Sequence, residues 1–209
     1  MMSTAIKANS SNEKLVQERR DQILRSAIRL FNKKGFDGTS MRDIARACRM
    51  TSANIYNYIS GKEDIIRLIL EAGHEQSCRF IAEAEAGLGK LAAVEALKNA
   101  VALFFRHIDK NRQGVTFLYR GMASFKEDIR SSVLKVEADE TEVFEKIINR
   151  GSIEGDFAVD DARLLADNII SLGQMWAVKH GLFERRYTIE GYINMQTSNI
   201  TAQLRRNSR

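Results

Sequence analysis

The chemistry on offer concentrates between Met50 and Ile65, where the chain reads MTSANIYNYISGKEDI. Thr51, Ser52 and Asn54 are small and polar, and Tyr56 and Tyr58 stand two apart. Lys62 follows a glycine. A core has no use for this set. Its hydroxyls, amide and ammonium are donors and acceptors for a polar partner, and base edges and phosphates in a duplex groove take these types.

Other candidates for chemistry are weaker. Glu71, His74 and Cys78 lie at i, i+3 and i+7, where they can share a helix face and ligate a metal. No second ligand cluster supports them, so no metal or cofactor is expected. His107 and Asp109 sit on different helix faces, too close in sequence to form a relay. Gly-x-Ser-x-Gly, Walker and dinucleotide motifs do not occur, and catalysis is disfavoured.

The elements that must position the polar segment are helices. The 209 residues include no proline, are 44% hydrophobic and 28% charged, and show little β-type alternation. The net charge of +5 is unevenly spread: residues 1–65 hold 12 Lys/Arg against 7 Asp/Glu, and the remainder 20 of each. The basic excess thus lies beside the polar segment and favours a polyanionic partner. The greasiest window, LLADNIISLGQMWAV, is broken by Asp167, Asn168 and Gln174, so no membrane partner is expected. Two cysteines, Cys48 and Cys78, suit a cytoplasmic protein without disulfides.

Residues 1–12 read as a loose tail. Ile23, Leu24, Ala27, Ile28 and Phe31 recur at helical spacing from about Glu13 to Lys34, and Gly35 stops that helix. Ser40 with Asp43 imitates a capping box for a short helix over roughly 40–48. Thr51 or Ser52 caps a third helix that ends between Tyr58 and Ser60, and Lys62-Glu63-Asp64 opens a long fourth. Helix, short helix, turn, short helix is helix-turn-helix organisation. Only the third helix is slim and polar at its start, as docking in a major groove requires.

The stretch ILRSAIRLFNKKGFDGTSMRDIARACRMTSANIYNYISGKEDI resembles the DNA-binding domain of TetR-family transcriptional regulators. The matches include Ile23, Ala27, Phe31, Gly35, Phe36, Thr39, Ile44, Ala45, Ile55, Tyr56, Tyr58, Lys62 and Glu63, without a gap; the resemblance is specific over roughly residues 18–70. It implies an all-α protein with a tail over 1–12 and a three-helix DNA-binding domain over 13–62, its helix-turn-helix at about 39–58. Residues 63–209 would form a helical effector-binding and dimerisation domain. Carried over position by position, it has Thr39 meeting a phosphate and Arg42 a guanine or phosphate. Ser52, Ala53 and Asn54 would face bases, Tyr56 and Tyr58 the backbone, and Lys62 a phosphate. The plainer alternatives are that Tyr58 packs beneath the helix and that Thr39 only caps. Two positions depart from the family: Arg49 stands where glycine is usual and Ile59 where phenylalanine is. A left-handed Arg49 would cost about 1 kcal/mol, and its guanidinium could gain a phosphate contact in return.

Beyond the resemblance, further helices are expected at about 90–109, 128–150, 161–180 and 188–205, with Asp160 capping the third of these. Leu165, Leu172, Ile193 and Ile200 fall on the last two, which form the dimer seam in the family; otherwise they are ordinary core helices. Phe104, Phe105, Phe117, Tyr119, Met122, Phe144 and Trp176 either line an effector pocket or pack as core. Arg106, His107, Arg112 and Arg120 could meet an acidic headgroup or merely face water. The function implied is a homodimeric repressor released from near-palindromic double-stranded DNA by a small apolar or amphipathic effector, an acyl-CoA or lipid-like molecule among the candidates. Two rivals are an accessory DNA binder with no effector, and a helical interaction module or lipid-binding protein whose helix-turn-helix is vestigial.

Overall fold

The computed structural model describes residues 13–204, so the expected N-terminal tail lies outside the described residues. Nine helices and no strands occur among them: α1 (Glu13–Lys34), α2 (Met41–Ala47), α3 (Ser52–Ile55), α4 (Lys62–Leu88), α5 (Ala93–Gly121), α6 (Glu127–Glu154), α7 (Ala162–Val178), α8 (His180–Phe183) and α9 (Ile189–Gln203). The all-α expectation holds. No helix is long and apolar enough to cross a membrane among the described residues.

The chain divides into two compact units. The first comprises the chain up to Ala72 together with Arg120–Phe125, and the second comprises Gly73–Tyr119 and the chain from Lys126 onward. Helix α4 supplies its opening turns to the first unit and the rest to the second.

In the first unit, α1 turns Ile23, Ala27 and Phe31 inward at intervals of four residues, and all three are buried. The helix ends at Gly35, left-handed at φ 79°, whose amide donates to the Phe31 carbonyl. Ser40 caps α2 with a full capping box: its Oγ accepts from the Asp43 amide, and Asp43 accepts from the Ser40 amide. Thr51 caps α3 by accepting from the Asn54 amide. Helix α3 is shorter than expected. Its regular part closes at Ile55 and the chain continues in turns, the amides of Tyr58 and Ile59 both donating to the Ile55 carbonyl.

The second unit is built around α5, which runs for 29 residues instead of stopping near 109. VTFLYRG continues its apolar face rather than starting a new element, since Phe117 is buried in line with Phe104, Phe105 and Ile108. Asp161, not Asp160, caps α7 by accepting from the Leu164 amide. The four-residue α8 follows α7, a break the apolar pattern does not announce. Phe80, Phe104 and Phe144 pack with ring centroids 5.3–5.9 Å apart. Trp176, Tyr192 and Phe183 form a second ring cluster, joined to the first by Phe105 against Tyr192 at 5.6 Å.

Helix α7 approaches this core through Gly173. A Cβ there would lie 2.5 Å from the Phe104 ring and 3.3 Å from that of Phe105, both wholly buried. Gly173→Ala is therefore expected to destabilise the protein by about 1–3 kcal/mol despite alanine's better helix propensity. Urea unfolding measures the sign, and a neutral or stabilising result contradicts this packing.

Candidate nucleic-acid interface and sensor core

The surface around α3 is made by burying alternate demands on opposite sides. Ile55 and Ile59 are 0% and 1% exposed, which roots the segment in the first unit. Ser52, Ala53, Asn54, Tyr56 and Asn57 are all exposed. Helix α1 holds the surrounding backbone: Gln22 Nε2 donates to the Cys48 carbonyl at 2.9 Å, and Arg20 Nε to the Tyr58 carbonyl at 3.3 Å. Asn57 Nδ2 donates to Asn54 Oδ1 at 3.4 Å, a long bond that leaves Asn54's own amide group for other partners.

The structure distributes the expected DNA-contact residues unequally. Ser52, Ala53, Asn54, Tyr56 and Arg42 present themselves outward. Tyr58 is half-buried. Thr39 differs from expectation: it is 1% exposed, its hydroxyl donates to the Gly35 carbonyl at 2.8 Å and its amide to the Phe36 carbonyl at 3.3 Å. Its polar groups hold the α1–α2 turn rather than face outward. Lys62 is likewise engaged within the unit, its Nζ donating to the Phe36 carbonyl at 2.8 Å and lying 4.4 Å from the Phe36 ring centroid. Phe36 is anchored in turn on Phe31, centroids 5.2 Å apart. A lysine head that bridges a carbonyl and a ring is a tie between α4 and the α1–α2 turn. Arg46, which the sequence reading passed over, is exposed on α2 one turn after Arg42; the i, i+4 spacing was the available signal.

In the second unit the aromatic candidates separate. Phe104, Phe105, Phe117, Phe144 and Trp176 are buried, whereas Tyr119 is 49% exposed. Met122 is half-buried and belongs to the first unit. Ile193 and Ile200 also depart from the expected seam. They are 4% and 3% exposed because α9 turns them into the core of their own chain. Leu165 and Leu172 are only partly covered. With Asn168, Met175, Gln196 and the edge of Ile200 they line an open groove of about 510 Å³ along α7 and α9.

A polar group lies inside the aromatic core. Glu140 is 6% exposed, takes a hydrogen bond from buried Ser77, and places Oε1 3.6 Å from His107 Nε2. Burial pushes the Glu140 carboxyl up to about 7, assisted by repulsion from Glu137 and Asp139. Burial, with Arg79 and Lys110 nearby, pulls His107 down to about 4. The pair therefore meets with histidine neutral. The other cations considered for an acidic headgroup are partly engaged: Arg106 makes two 2.8 Å bonds to Glu190, and Arg112 pairs with Asp109 at 3.2 Å. Asp109 also accepts from Trp176 Nε1 at 2.8 Å. Among the described residues no group of three His, Cys, Asp or Glu side chains could hold a metal; His74 and Cys78 contact each other at 3.6 Å.

A helix-turn-helix unit with one slim polar helix outward, joined to a larger all-helical unit, defines a transcriptional regulator of the DNA-binding class. The chain belongs to the TetR family. Residues 23–69 match the family described as bacterial regulatory proteins, tetR family, and residues 90–178 match the tetracyclin repressor-like C-terminal domain. The HTH-type transcriptional regulator HbdR of Aromatoleum sp. (strain CIB) is 30% identical over 92% of this chain and 84% of its own length. Among solved structures, a tetR-family regulatory protein from Rhodococcus RHA1 superposes with TM-score 0.78 at 22% identity, covering 90% of this chain and 97% of that one. AibR in complex with isovaleryl coenzyme A and operator DNA does so with TM-score 0.71 at 23% identity, covering 87% and 97%. HbdR is named as a transcriptional regulator and the Rhodococcus protein as a regulatory protein.

The raised Glu140 carboxyl has a consequence for stability. Below the unfolded carboxyl's value of 4.5 both states are protonated. Between 4.5 and about 7 the unfolded chain releases its proton while the folded chain keeps it, so this group's contribution is lost as pH rises. The shift corresponds to roughly 3 kcal/mol at pH 8, as an upper figure. Glu140→Gln is expected to raise Tm by several degrees at pH 8 and to change it little at pH 4.5. Thermal melts at the two pH values check this; an equal effect at both contradicts it.

Proposed function

We propose that the chain is a homodimeric repressor that leaves a near-palindromic operator when a small, largely apolar effector occupies its helical sensor domain. The single observation that carries the DNA part is α3, whose Ile55 is wholly buried while Ser52, Ala53, Asn54 and Tyr56 stand exposed. Under this reading Asn54 and Ser52 address base edges, Ala53 a thymine methyl, and Tyr56, Tyr58 and Arg42 the sugar-phosphate backbone. Residues 13–62 then serve as the DNA-binding domain and 63–209 as the sensor. Thr39 and Lys62 act indirectly, by holding the α1–α2 turn, unless the turn opens on the duplex.

Dimerisation is supported by the groove along α7 and α9. Its half-covered Leu165, Leu172 and Met175 suit the same two helices of a second copy, in an isologous four-helix seam. Two recognition helices must then lie about one duplex turn apart, roughly 34–36 Å. The effector's chemistry is supported by the aromatic core of the second unit and by AibR, which was solved with isovaleryl coenzyme A. An acyl-CoA or lipid-like molecule fits both. Helix α4, shared by the two units, is the connection through which occupancy would alter spacing. The effector must bind the DNA-incompetent conformer more tightly, because equal affinity for both shifts nothing.

Selection of bound duplexes by the purified protein tests the DNA reading, and palindromic enrichment is the expected result. Asn54→Ala is expected to relax base preference at one symmetric pair of positions, and Tyr56→Phe to weaken all sequences alike by about 1 kcal/mol. Enrichment of no sequence leaves the accessory-binder reading instead. Leu172→Glu is expected to turn the dimer into a monomer in sedimentation and to abolish operator binding at micromolar protein; a monomeric wild type would overturn the seam.

A further inference from the structure

Arg49 occupies a backbone conformation that L side chains avoid. It closes α2 at φ 56° and is the one non-glycine residue with positive φ among the described residues. The hydrogen bonds around it are those of a Schellman ending: the Met50 amide donates to the Ala45 carbonyl at 2.8 Å and the Arg49 amide to the Arg46 carbonyl at 3.1 Å. This ending places its left-handed residue where glycine relieves the clash of Cβ with the following peptide. Among the described residues the other left-handed positions, Gly35 and Gly155, which follow α1 and α6, are glycines. Arginine here is thus a local cost, and its side chain is exposed.

Its surroundings indicate what the side chain is for. Arg49 stands two residues before Thr51, the cap of α3. It continues an exposed row with Arg42 and Arg46, at i, i+4 and i+7 along α2 and its end. Asp43, the acid on this helix, is held by Ser40 and by Lys34 at 3.7 Å. Arg49 is in no ion pair among the described residues. An unpaired guanidinium beside the leading end of α3 matches a phosphodiester, which it can engage with two parallel N–H donors.

We infer that Arg49 is a phosphate-gripping residue of the DNA interface, kept in a strained helix ending because its charge is needed beside α3. This rests on the reading of the first unit as a duplex binder. The inference separates folding from binding. Arg49→Gly should stabilise the fold and weaken the complex, an opposition that a merely structural residue does not produce.

The test uses the full-length protein, a fluorescein-labelled random-sequence 30-base-pair duplex, and KCl from 50 to 200 mM. Relative to wild type, Arg49→Gly is expected to raise Tm by roughly 1–3 °C. Its duplex affinity should fall by roughly three- to tenfold per protomer at low salt. The slope of log K against log salt should become shallower by about 0.9 per protomer. Arg49→Lys should keep most of the slope without the gain in Tm. A glycine variant with wild-type affinity and slope overturns the role of Arg49 while leaving DNA binding standing. A glycine variant that loses affinity with an unchanged slope also overturns it, because the loss would then be conformational. Wild-type protein with no salt-dependent duplex binding overturns both the inference and the reading beneath it.

Discussion

A four-residue helix cannot hold itself together in water, because a single hydrogen-bonded turn fixes more dihedral angles than it gains bonds. Helix α3 is that short, and the rest of the first unit is organised by the need to hold it. Thr51 satisfies an amide at its start, Ile55 and Ile59 root it beneath, and Gln22 and Arg20 reach from α1 to carbonyls on either side. Stability is imported from tertiary contacts, so the outward face is released from any structural duty. That is why residues as uncooperative for a core as Ser52, Ala53 and Asn54 can stand together there. The same economy explains Thr39 and Lys62. Both have polar groups suited to phosphate, and both close the turn between α1 and α2.

The second unit faces the opposite problem. Its core is dense with rings, yet it encloses Glu140, Ser77 and His107. Taking a carboxyl out of water is costly unless it is neutral or well bonded, and at 3.6 Å the imidazole is too distant for a good hydrogen bond. The carboxyl responds by holding its proton to about pH 7, and the histidine by releasing its own. What results is a nearly uncharged polar spot among Phe80, Phe104 and Phe144. At the margins Arg106 is paired with Glu190 and Arg112 with Asp109, while Arg79 and Lys110 lie near enough to His107 to lower its pKa.

Local rules made much of this legible in the sequence. The capping box at Ser40 and Asp43, the stop at Gly35 and the polar start of α3 are contacts between neighbours a few residues apart, and the structure has each of them. The left-handed backbone at Arg49 was foreseeable only through the resemblance to a family that places glycine there. What the sequence hid is long-range. The tie from Lys62 to Phe36 joins residues 26 apart, and a lysine after a glycine looks the same whether its ammonium meets a phosphate or a carbonyl. Helical periodicity likewise identified Ile193 and Ile200 as apolar but not which side of α9 the rest of the chain would cover. Asp160 and Asp161 are chemically equivalent caps, and the choice between them depends on where α7 begins to pack.

The division of α4 sets the terms on which a signal could pass between the units. Its first turn is fixed by Lys62 to the segment that carries α2, and its later turns place Ser77, Phe80 and Ala84 in the other core. One end is tied through a hydrogen bond and a ring, the other through packed rings. Under the proposed reading, an effector entering among those rings has to choose between two discrete packings, since a dense core is bistable rather than continuously soft. The size of the response then depends on how differently the ligand fits the two packings and not on how tightly it binds overall. A shift from one part in a hundred to its inverse needs about 5.5 kcal/mol of such preference. Apolar area alone discriminates poorly between two ring arrangements of similar burial. Under the same reading, buried Glu140 and its neighbour His107, whose energies depend steeply on what lies within a few ångströms, would supply the difference.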